Sequence, residues 1–439
     1  MSIENIKDKF LKGEIKAYEL EDIIFRDVHK CKKEDWGNAC KDASVLRIDF
    51  LEQKLGKKFN HIRKHYDDFC SIDKKTTAIE QIIGGAVVPL GFGGPLKIKG
   101  NHAIGEFYIP LANCEAALIA GFNRGCNVIN ESGGVRSIVT KDSMTRSVII
   151  ETPSIDDAFK LCEEVNKKGE LYDEMKKAAE REGKVSKLVD IQTFQILNEI
   201  QLRYVFQTGD SMGMNSATKY AANAVKVLLE KYPEMKLKAL SGNMCADKKS
   251  THINVIFGRG KSVQTEVIIP LEVLKKNYQL MNENGEIIKE IEPRDIERIN
   301  YSKNYQGSAL AGTLTGFNAN VANTIAAIFA ATGQDLAQIV ESSSAFDKAE
   351  VLKNGSLRFG VFLPCVEIGT VGGGTSYATA KECLDMLGCY GAGKKPGENA
   401  KKFAEIIGAA VTAQEINLLG TLACGDELAS SHIRLARGK

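Results

Sequence analysis

The chain has 439 residues, enough for two or three domains and a large buried core. Hydrophobic residues make up 44% and charged residues 26%, close to the globular average, so disordered and fibrous classes are excluded. The 58 basic and 56 acidic residues leave a net charge of +2, so no overall field would attract nucleic acid or an anionic membrane. Eleven scattered cysteines without a C-x-x-C pair indicate reduced thiols rather than disulfides or a zinc site.

Residues 1–55 are rich in charge, with apolar residues at scattered positions, and they predict a small helical region. The N-terminus lacks the apolar stretch of a signal peptide, so a cytoplasmic location is expected. No charged residue occurs between Lys303 and Asp335, a length that could cross a membrane. Its amide side chains would be costly in hydrocarbon, so we expect a helix buried in protein and no membrane span.

Residues 148–240 predict a self-contained unit. Its order of strands and helices is β-α-β-β-α-β, the ferredoxin-like arrangement, with one extra helix. Ser154 is a good N-cap for the first helix, because its hydroxyl can accept a hydrogen bond from a backbone N–H of the first turn. Glycine-rich segments flank the unit, so we expect a small domain inserted into a large one that comprises residues 56–147 and 241–439.

The uncharged segment is expected to form the centre of the large domain. Residues 316–343 are rich in Ala, Asn and Ile on nearly all sides, and a helix without a polar face belongs in a protein core. Around this long central helix we expect strands over 253–270, a strand and glycine loop after 357, and a final amphipathic helix from about 399 to 424.

Neither of two common nucleotide-binding patterns is satisfied. Residues 258–262 end in the Gly-Lys-Ser of a phosphate loop, but Val255 stands where that loop needs its first glycine. The G-x-G-x-x-G fingerprint is absent from the strand-to-helix junctions that we predict. A phosphate-loop NTPase stays an alternative, and a dinucleotide must bind by another route.

Two carboxyl groups lie in segments that otherwise predict burial. Glu115 lies in an Ala/Leu run, where burial would favour its protonated form, although an acid at a helix start is an equally good explanation. Asp335 interrupts the central helix, and a buried carboxylate needs a nearby cation. Lys248, Lys249 or Lys303 could supply it.

The charged triplet Asp247, Lys248 and Lys249 follows the small domain, on a loop that returns into an apolar strand. His432 lies in a basic tail that could reach an anion, although a lone tail histidine is normally solvated. A lysine, two acids and a mobile histidine suit carbonyl reduction, because the lysine can stabilise negative charge on oxygen and an acid can deliver a proton. No serine nucleophile elbow or Cys/His signature favours hydrolysis.

Eight motifs follow one another along the chain. They are EQIIG (80–84), NRGC (123–126), DSMTR (142–146), GDSMGMN (209–215), SGNMCADKK (241–249), GQD (333–335), GTVGGGT (369–375) and SSH (430–432). With these motifs the chain resembles hydroxymethylglutaryl-coenzyme A (HMG-CoA) reductase over nearly all of residues 70–439. The resemblance is to the class I-like soluble catalytic domain, the class that includes the eukaryotic and archaeal enzymes.

The resemblance implies an α+β fold with a large substrate domain around a long central helix, an inserted ferredoxin-like dinucleotide-binding domain and a small helical N-terminal region. It implies two successive hydride transfers from NADPH that convert (S)-3-hydroxy-3-methylglutaryl-CoA to (R)-mevalonate and release CoA, the committed step toward isoprenoids and sterols. No metal is implied. The family's active sites lie at the interface of a homodimer or tetramer, with EQIIG near the contact.

The resemblance also assigns roles to residues of this chain. Lys248 would stabilise the negative charge on the thioester and aldehyde oxygens, and Asp335 would pair with it and with Glu115. Glu115 would donate a proton to the aldehyde, and His432 would protonate the departing CoA thiolate. Residues that would bind the HMG moiety are Arg146, Ser241, Asn243, Asp247, Lys249, Lys303 and Asn323, with Asn123 and Arg124 on the CoA side. Residues that would bind the dinucleotide are Asp210, Met212, Gly213, Met214 and Asn215 at a helix N-terminus, with Lys184 and Lys187 favouring the 2′-phosphate of NADPH.

The chain departs from the family pattern beside the proposed acid. Cys114 and Ala116 flank Glu115 where Thr and Gly are usual, and the added methyl group could slow turnover. Asn127 stands where a basic residue is common, which could weaken CoA binding. No residue assigned a chemical step is lost, so we predict an active enzyme. A reductase of another acyl-CoA thioester and a weakly active CoA- or dinucleotide-binding relic stay open as alternatives.

Overall fold

The computed structural model describes residues 1–64, 79–183, 185–281 and 286–425, and an α+β fold occupies them, as predicted. The α-helices are α1 Ile3–Leu11, α2 Leu20–Asp27, α3 Trp36–Leu55, α4 Asn60–Lys64, α5 Leu118–Glu131, α6 Ile155–Asn166, α7 Glu170–Glu180, α8 Met214–Lys231, α9 His252–Phe257, α10 Leu271–Asn277, α11 Pro293–Ile299, α12 Ser308–Leu310, α13 Val321–Ala331, α14 Ile339–Ser342, α15 Ala378–Met386 and α16 Glu398–Cys424. The strands are β1 Leu90–Gly100, β2 Ile104–Ala112, β3 Val135–Glu151, β4 Lys187–Ile196, β5 Glu199–Gln207, β6 Lys236–Ala239, β7 Gly260–Ile269, β8 Gln279–Met281, β9 Ile287–Glu290, β10 Gly316–Phe317, β11 Ala345–Val351 and β12 Leu357–Val366.

Residues 1–55 are helical, as the sequence predicted, and they enclose a hydrophobic core of their own. Ile6 of α1 and Leu20 of α2 are fully buried in it. Arg47 of α3 is buried beside this core, where its guanidinium donates to the carbonyl oxygen of Ala17 at 2.6 Å and pairs with Glu21. This buried cation ties α3 to the chain at the start of α2.

β3 joins two sheets. Its residues 136–143 pair with β7 in a sheet whose strand order is β10-β11-β12-β7-β3-β1-β2. Its residues 144–151 pair with β5, which also pairs with β4, and β6 lies along the same end of β3. One 17-residue strand therefore runs from the larger hydrophobic core into the smaller one.

The smaller core is formed by the part of the chain that runs from β3 to β6. Its elements follow the order β3-α6-α7-β4-β5-α8-β6, which is the predicted β-α-β-β-α-β order with one extra helix. Ser154 caps α6 as predicted, because its Oγ accepts a hydrogen bond from the N–H of Asp157 at 3.1 Å. The buried faces of α7 and α8 pack against each other over this core.

The long helix at the centre of the larger core is α16. It has 27 residues and is buried nearly all round, so the prediction of an amphipathic helix here is wrong. Its buried acids have fixed partners. Glu405 accepts from the N–H of Ala103 at 2.8 Å, and Glu415 accepts from the N–H groups of Ala319 and Asn320 at 2.6 and 2.7 Å. These hydrogen bonds let polar residues that resembled a solvent-facing side lie inside the core.

The predicted central helix over residues 316–343 is also wrong, because that segment is broken into β10, α13 and α14. The hydrogen bonds to Glu415 hold the backbone before Val321, where α13 begins. Gly333 has a φ of 66°, and a Cβ there would lie 2.3 Å from the carbonyl oxygen of Gly374. Only glycine fits this close approach, so a turn replaces the helix at that point.

The strand predicted over residues 253–257 is the short helix α9, and β7 begins only at Gly260. Gly258 has a φ of 77° and ends α9. Lys261 follows within β7, where it is 2% exposed and its amine lies 2.7 Å from Oδ1 of Asp142. A lysine held in this way cannot reach a phosphate, so the phosphate-loop alternative is excluded.

Among the described residues, α16 alone is long and apolar enough to cross a membrane, with a mean hydropathy of 1.3. However, 89% of its apolar window is buried inside the protein. The uncharged segment that raised the question in the sequence is divided among α12, β10, α13 and turns. Core burial therefore accounts for the apolar character of α16.

Candidate active site

The loop between β6 and α9 carries the predicted catalytic lysine. The Lys248 amine lies 3.1 Å from Oδ2 of Asp335, and the two side chains are 44% and 37% exposed. The amine of Lys249 instead donates to the carbonyl oxygen of Asp247 at 2.9 Å. Of the lysines considered as the cation for Asp335, Lys248 is the one that pairs with it.

Asp335 is exposed at the start of a short 3-10 helix, Leu336–Gln338, and does not lie inside a long buried helix as predicted. Its Oδ1 accepts from the N–H of Ala337 at 3.1 Å. Because one oxygen caps this helix and the other binds Lys248, the carboxylate is held at both oxygens.

Glu115 is exposed, which corrects the prediction that it lies buried within an Ala/Leu helix. It belongs to the loop after β2, where its N–H donates to Oδ1 of Asn113 at 2.9 Å, and α5 begins only at Leu118. Its Oε2 accepts from Nδ2 of Asn323 at 2.9 Å. A neutral amide therefore orients the carboxylate and leaves it open to solvent.

Within the described residues, no ion pair joins Glu115 to Lys248 or Asp335. The two sets are linked through α13, since Asn323 lies near its start and Asp335 follows its end. Eight residues separate Asn323 from Ala331, the last residue of α13, a rise of about 12 Å along the axis. The expectation that Asp335 pairs with both groups is therefore met for Lys248 only.

The predicted HMG-binding residues surround this loop unevenly. Arg146, in the part of β3 that joins the sheets, donates to Oγ of Ser241 and to Oγ1 of Thr218, both at 2.9 Å. Asn243 is exposed on the loop with a φ of 59°. Lys303 is exposed on a π-helical segment, Asn300–Gly307, and none of the hydrogen bonds between described residues ties its side chain to the loop. Arg146, Ser241, Asn243, Asp247 and Lys249 therefore lie on this loop or against it.

The predicted dinucleotide loop, residues 209–215, leads into α8. Asp210 is 6% exposed, and its carboxylate accepts from the N–H groups of Gly393, Gly397 and Ala400 at 3.0–3.1 Å. This side chain holds two loops together, which differs from the direct cofactor contact predicted for it.

The backbone of the same loop is open at the start of α8. Gly213 is the N-cap, with a φ of 91°, and a Cβ there would lie 2.3 Å from a neighbouring side chain. Met214 is buried and Asn215 is exposed in the first turn. The GTVGGGT loop lies alongside, since a Cβ at Gly369 would lie 2.6 Å from the backbone nitrogen of Met212. The N-terminus of an 18-residue helix beside a glycine loop is a typical phosphate-binding arrangement.

The two predicted CoA-side residues take part in packing. Oδ1 of Asn123 accepts from the N–H of Gly94 at 2.8 Å. The Arg124 guanidinium lies 5.9 Å from the centre of the Tyr278 ring. These contacts attach α5 to β1 and to the segment after α10.

Of the two lysines predicted near the adenosine ribose, only Lys187 lies within the described residues. It begins β4, is exposed, and its amine lies 3.9 Å from Oε2 of Glu180. Lys184 and the predicted thiolate acid His432 lie outside the described residues.

A family model described as hydroxymethylglutaryl-coenzyme A reductase matches residues 43–437. The chain belongs to this family. The 3-hydroxy-3-methylglutaryl-coenzyme A reductase of Pyrococcus abyssi is 41% identical over 440 residues, with 100% of both chains covered. That of Methanocaldococcus jannaschii is 43% identical over 438 residues, with 99% of each covered. Reductase 3 of Hevea brasiliensis is 35% identical over 436 residues, which cover 99% of this chain and 69% of the plant protein.

The fold of the HMG-CoA reductase family is also found by structural comparison. The class II reductase of Streptococcus pneumoniae, bound to NADPH in open conformations, matches with a TM-score of 0.61 over 86% of this chain and 96% of that chain. Only 17% of the aligned residues are identical, so this likeness concerns the fold alone. The predicted HMG-CoA reductase fold is confirmed.

A buried charge cluster behind Lys248 was missed in the sequence of this family member. Arg259 is fully buried and pairs with the carboxylates of Asp247, Glu341 and Glu367, and we call these four residues the Arg259 cluster. The three carboxylates lie close enough to hold a metal ion, but the Arg259 guanidinium contacts all of them. The available signal was Glu367, a carboxylate within an apolar run, whereas Arg259 stands between two glycines.

Proposed function

We propose that this chain is an NADPH-dependent HMG-CoA reductase that converts HMG-CoA to mevalonate and CoA. The observation that carries the proposal is the ion pair between Lys248 and Asp335 on an exposed loop. Arg259 links this loop to the predicted cofactor site, because one of its nitrogens contacts both Asp247 and Met214, the first residue of α8.

The lysine is suited to stabilising negative charge on a substrate oxygen. Lys248 offers a cationic amine at a partly exposed site, where a thioester oxygen and then an aldehyde oxygen can approach it. Asp335 holds that amine in place. Glu115 is oriented by Asn323, and in its carboxylic acid form it can donate a proton to the aldehyde oxygen. His432 would protonate the CoA thiolate.

Arg146 is suited to binding the free carboxylate of the HMG group. Its hydrogen bonds to Ser241 and Thr218 occupy part of its guanidinium and set its plane. Arginine has five N–H donors, so others remain for a carboxylate. We assign supporting roles at the HMG group to Asn243, Asp247, Lys249, Lys303 and Asn323, and CoA-side roles to Asn123 and Arg124.

The start of α8 fits a dinucleotide phosphate. Its first turn carries the backbone N–H groups of Met214 and Asn215, which have no intrahelical partner, and Asn215 is exposed. Gly372 and Gly373 have positive φ and nothing within 4 Å of a Cβ position, so a ligand could approach their backbone closely. NADPH bound here would supply the hydride, while Asp210 holds the two loops and Met212 lies between them. Lys184 and Lys187 would favour its 2′-phosphate.

We assign the segments to domains on the basis of their separate hydrophobic cores. Residues 148–240 form an inserted NADP-binding domain, residues 56–147 and 241–439 form the CoA- and HMG-binding domain, and residues 1–55 form the helical N-terminal region. The 35% identity to the Hevea brasiliensis reductase, against 17% to the class II structure, supports a class I-like enzyme. We propose a cytoplasmic location.

We propose that the active site is completed by a second subunit of a homodimer or tetramer. Within one chain Glu115 is bound near the start of α13 and Lys248 is bound beyond its end, which supports this arrangement. EQIIG would lie near the contact, where Ile79 and Val87 are more than half exposed.

A coupled assay on the purified protein tests the function. HMG-CoA should cause oxidation of two NADPH per CoA thiol released, NADH should be oxidised more slowly, and acetoacetyl-CoA should not substitute as substrate. Binding of both HMG-CoA and NADPH without loss of NADPH absorbance would instead support a relic that binds without reducing. Oxidation that depends on another acyl-CoA but not on HMG-CoA would support a different reductase.

A further inference from the structure

Arg259 contacts four segments that meet beside the Lys248 loop. It is 0% exposed, and its Nε donates to Oγ1 of Thr145 on β3 at 3.2 Å. Its Nη2 lies 3.0 Å from Oδ1 of Asp247, and its Nη1 pairs with Glu341 and, at 2.5 Å, with Glu367. One guanidinium therefore touches β3, the catalytic loop, α14 and the end of β12.

The hydrogen bonds bracket the catalytic pair on both sides. Asp247, immediately before Lys248, accepts from Nε2 of Gln338 at 3.0 Å, and Gln338 lies three residues after Asp335. On the other side of Lys248, the N–H of Lys249 donates to Oε2 of Glu341 at 2.9 Å. The residues flanking Lys248 and those following Asp335 are thus fastened to the same buried framework.

This buried framework contains both carboxyl and guanidinium groups. Burial raises the pKa of Glu367 well above its ordinary value, while the charge of Arg259 opposes that shift. Burial would also raise the pKa of Asp247, but the hydrogen bond from Gln338 and the charge of Arg259 lower it below its ordinary value. Burial, and then the charge of Arg259, lower the pKa of Arg203 to about 10, which leaves it charged. The buried carboxylates are therefore balanced by guanidinium groups rather than by solvent.

We infer that Arg259 and Glu341 are positioning residues for the reduction: they hold the backbone of residues 247–249 so that the Lys248 amine faces Asp335. The inference rests on the proposed function, since it concerns the lysine to which that function assigns the charge on oxygen. Lys248 has a φ of 59°, a conformation that a non-glycine residue keeps only when its neighbours are held. Arg259 also contacts Met214, so its replacement acts on the cofactor loop as well.

Two conservative substitutions separate these contributions. In Glu341→Gln the two oxygens that accept from Arg259 and from the Lys249 N–H become one oxygen and one amide, so one hydrogen bond is lost without a change of size. Arg259→Lys keeps the charge but replaces a planar fork of donors with a single ammonium. Lys261→Met is the matched control, because it breaks another buried ion pair of the same segment, to Asp142, that does not touch the loop.

We expect kcat to fall by about tenfold or more in Glu341→Gln and Arg259→Lys, and the dinucleotide KM to rise only in Arg259→Lys. The Lys249 amide should exchange with deuterium about tenfold faster in both variants. Lys261→Met should lower thermal stability but leave kcat within about twofold of the parent. If Arg259→Lys does not fold, Gln338→Met, which removes one donor to Asp247, should still lower kcat by about threefold or more.

Folded Glu341→Gln and Arg259→Lys proteins with kcat and Lys249 exchange like those of Lys261→Met would overturn the inference. A loss of thermal stability alone in all the variants would overturn it too. Failure of the parent chain to reduce HMG-CoA is a separate outcome that would contradict the proposed function. In that case the Lys249 exchange rates alone decide whether Arg259 and Glu341 hold the loop.

Discussion

Three residues of the catalytic loop, Asn243, Ala246 and Lys248, have φ values of 59°, 52° and 59°. Left-handed backbone costs a non-glycine residue about 1–2 kcal/mol. Strain of this kind persists where surrounding bonds over-determine a conformation, and it concentrates at functional sites. At Lys248 those bonds come from its two chain neighbours to the Arg259 cluster and Gln338. The amine is therefore placed by the backbone more than by its own exposed ion pair.

Replacing the amine should abolish reduction without unfolding the protein. We expect Lys248→Met to lower kcat by about 100-fold or more, because the developing oxyanion loses its cation. Its thermal stability should change little, since exposed ion pairs contribute at most about 1 kcal/mol. The measurements are NADPH oxidation with HMG-CoA and a thermal unfolding curve.

Lys168→Met is the control, because Lys168 forms a similar exposed pair, 2.9 Å from Asp190, away from the loop. It should match the parent in both measurements. Turnover near the parental rate in Lys248→Met would refute the role of the lysine.

At the scale of elements, a pair of buried acids joins α16, β11 and the start of α13. Glu415 of α16 accepts from the N–H groups before α13, and Asp347 of β11 lies beside it, fully buried. Burial, and then the charge of Glu415, raise the pKa of Asp347 well above its ordinary value. This pair lies where α13 starts, two residues before Asn323, the partner of Glu115.

This pair predicts a pH dependence of stability. The folded protein keeps a proton on Asp347 that the unfolded chain releases above about pH 4, so the contribution of this group is fully favourable below that pH. It is lost as the pH rises toward the raised pKa of the folded state. Asp347→Asn keeps an N–H donor toward Glu415 and an oxygen for Asn304, so the free energy of unfolding should fall less between about pH 5 and pH 8.

Urea unfolding at several pH values measures this slope. Glu350→Gln on the same strand is the control, because the hydrogen bonds from Lys348 and Arg358 lower the pKa of Glu350, so it titrates only in acid. An unchanged slope in Asp347→Asn would mean that Asp347 is ionised in the folded protein.

Over the whole molecule, β3 carries Arg146 between two hydrophobic cores, and Glu115 is bound near the start of α13 while Lys248 is bound beyond its end. The cofactor loop of the smaller core and the glycine loop of the larger one touch through Gly369. A single chain thus builds each half of the site on a rigid core. A second copy in a symmetric assembly would bring the halves of different chains together.

Mixing two inactive variants tests this arrangement. Glu115→Gln should stay folded, because Glu115 is exposed and a glutamine oxygen can still accept from Asn323, but it removes the proposed proton donor. After subunit exchange with Lys248→Met, one intact site per mixed dimer should restore about a quarter of the parental activity. Each variant carried alone through the same exchange is the control, and no recovery in the mixture would place each complete site within one chain.

Three features could be predicted from sequence patterns alone. They are the family, the order of elements in the small unit and the pairing of a lysine with Asp335. These follow from local patterns: hydrophobic periodicity, the cap at Ser154, and motifs in which several residue types recur together. Such signals need no knowledge of what packs against each segment.

Three other features depend on how distant segments pack together. They are the choice of central helix, the exposure of Glu115 and Asp335, and the residues that lie behind Lys248. The polar residues of α16 resembled a solvent-facing side, but their partners, 302 and 95 residues away in the chain, place them in the core. Glu115 and Asp335 looked buried because their neighbours are apolar, yet turns set by Asn113 and Gly333 expose them. Burial and charge compensation depend on contacts between distant segments, and the Arg259 cluster exists only where four such segments meet.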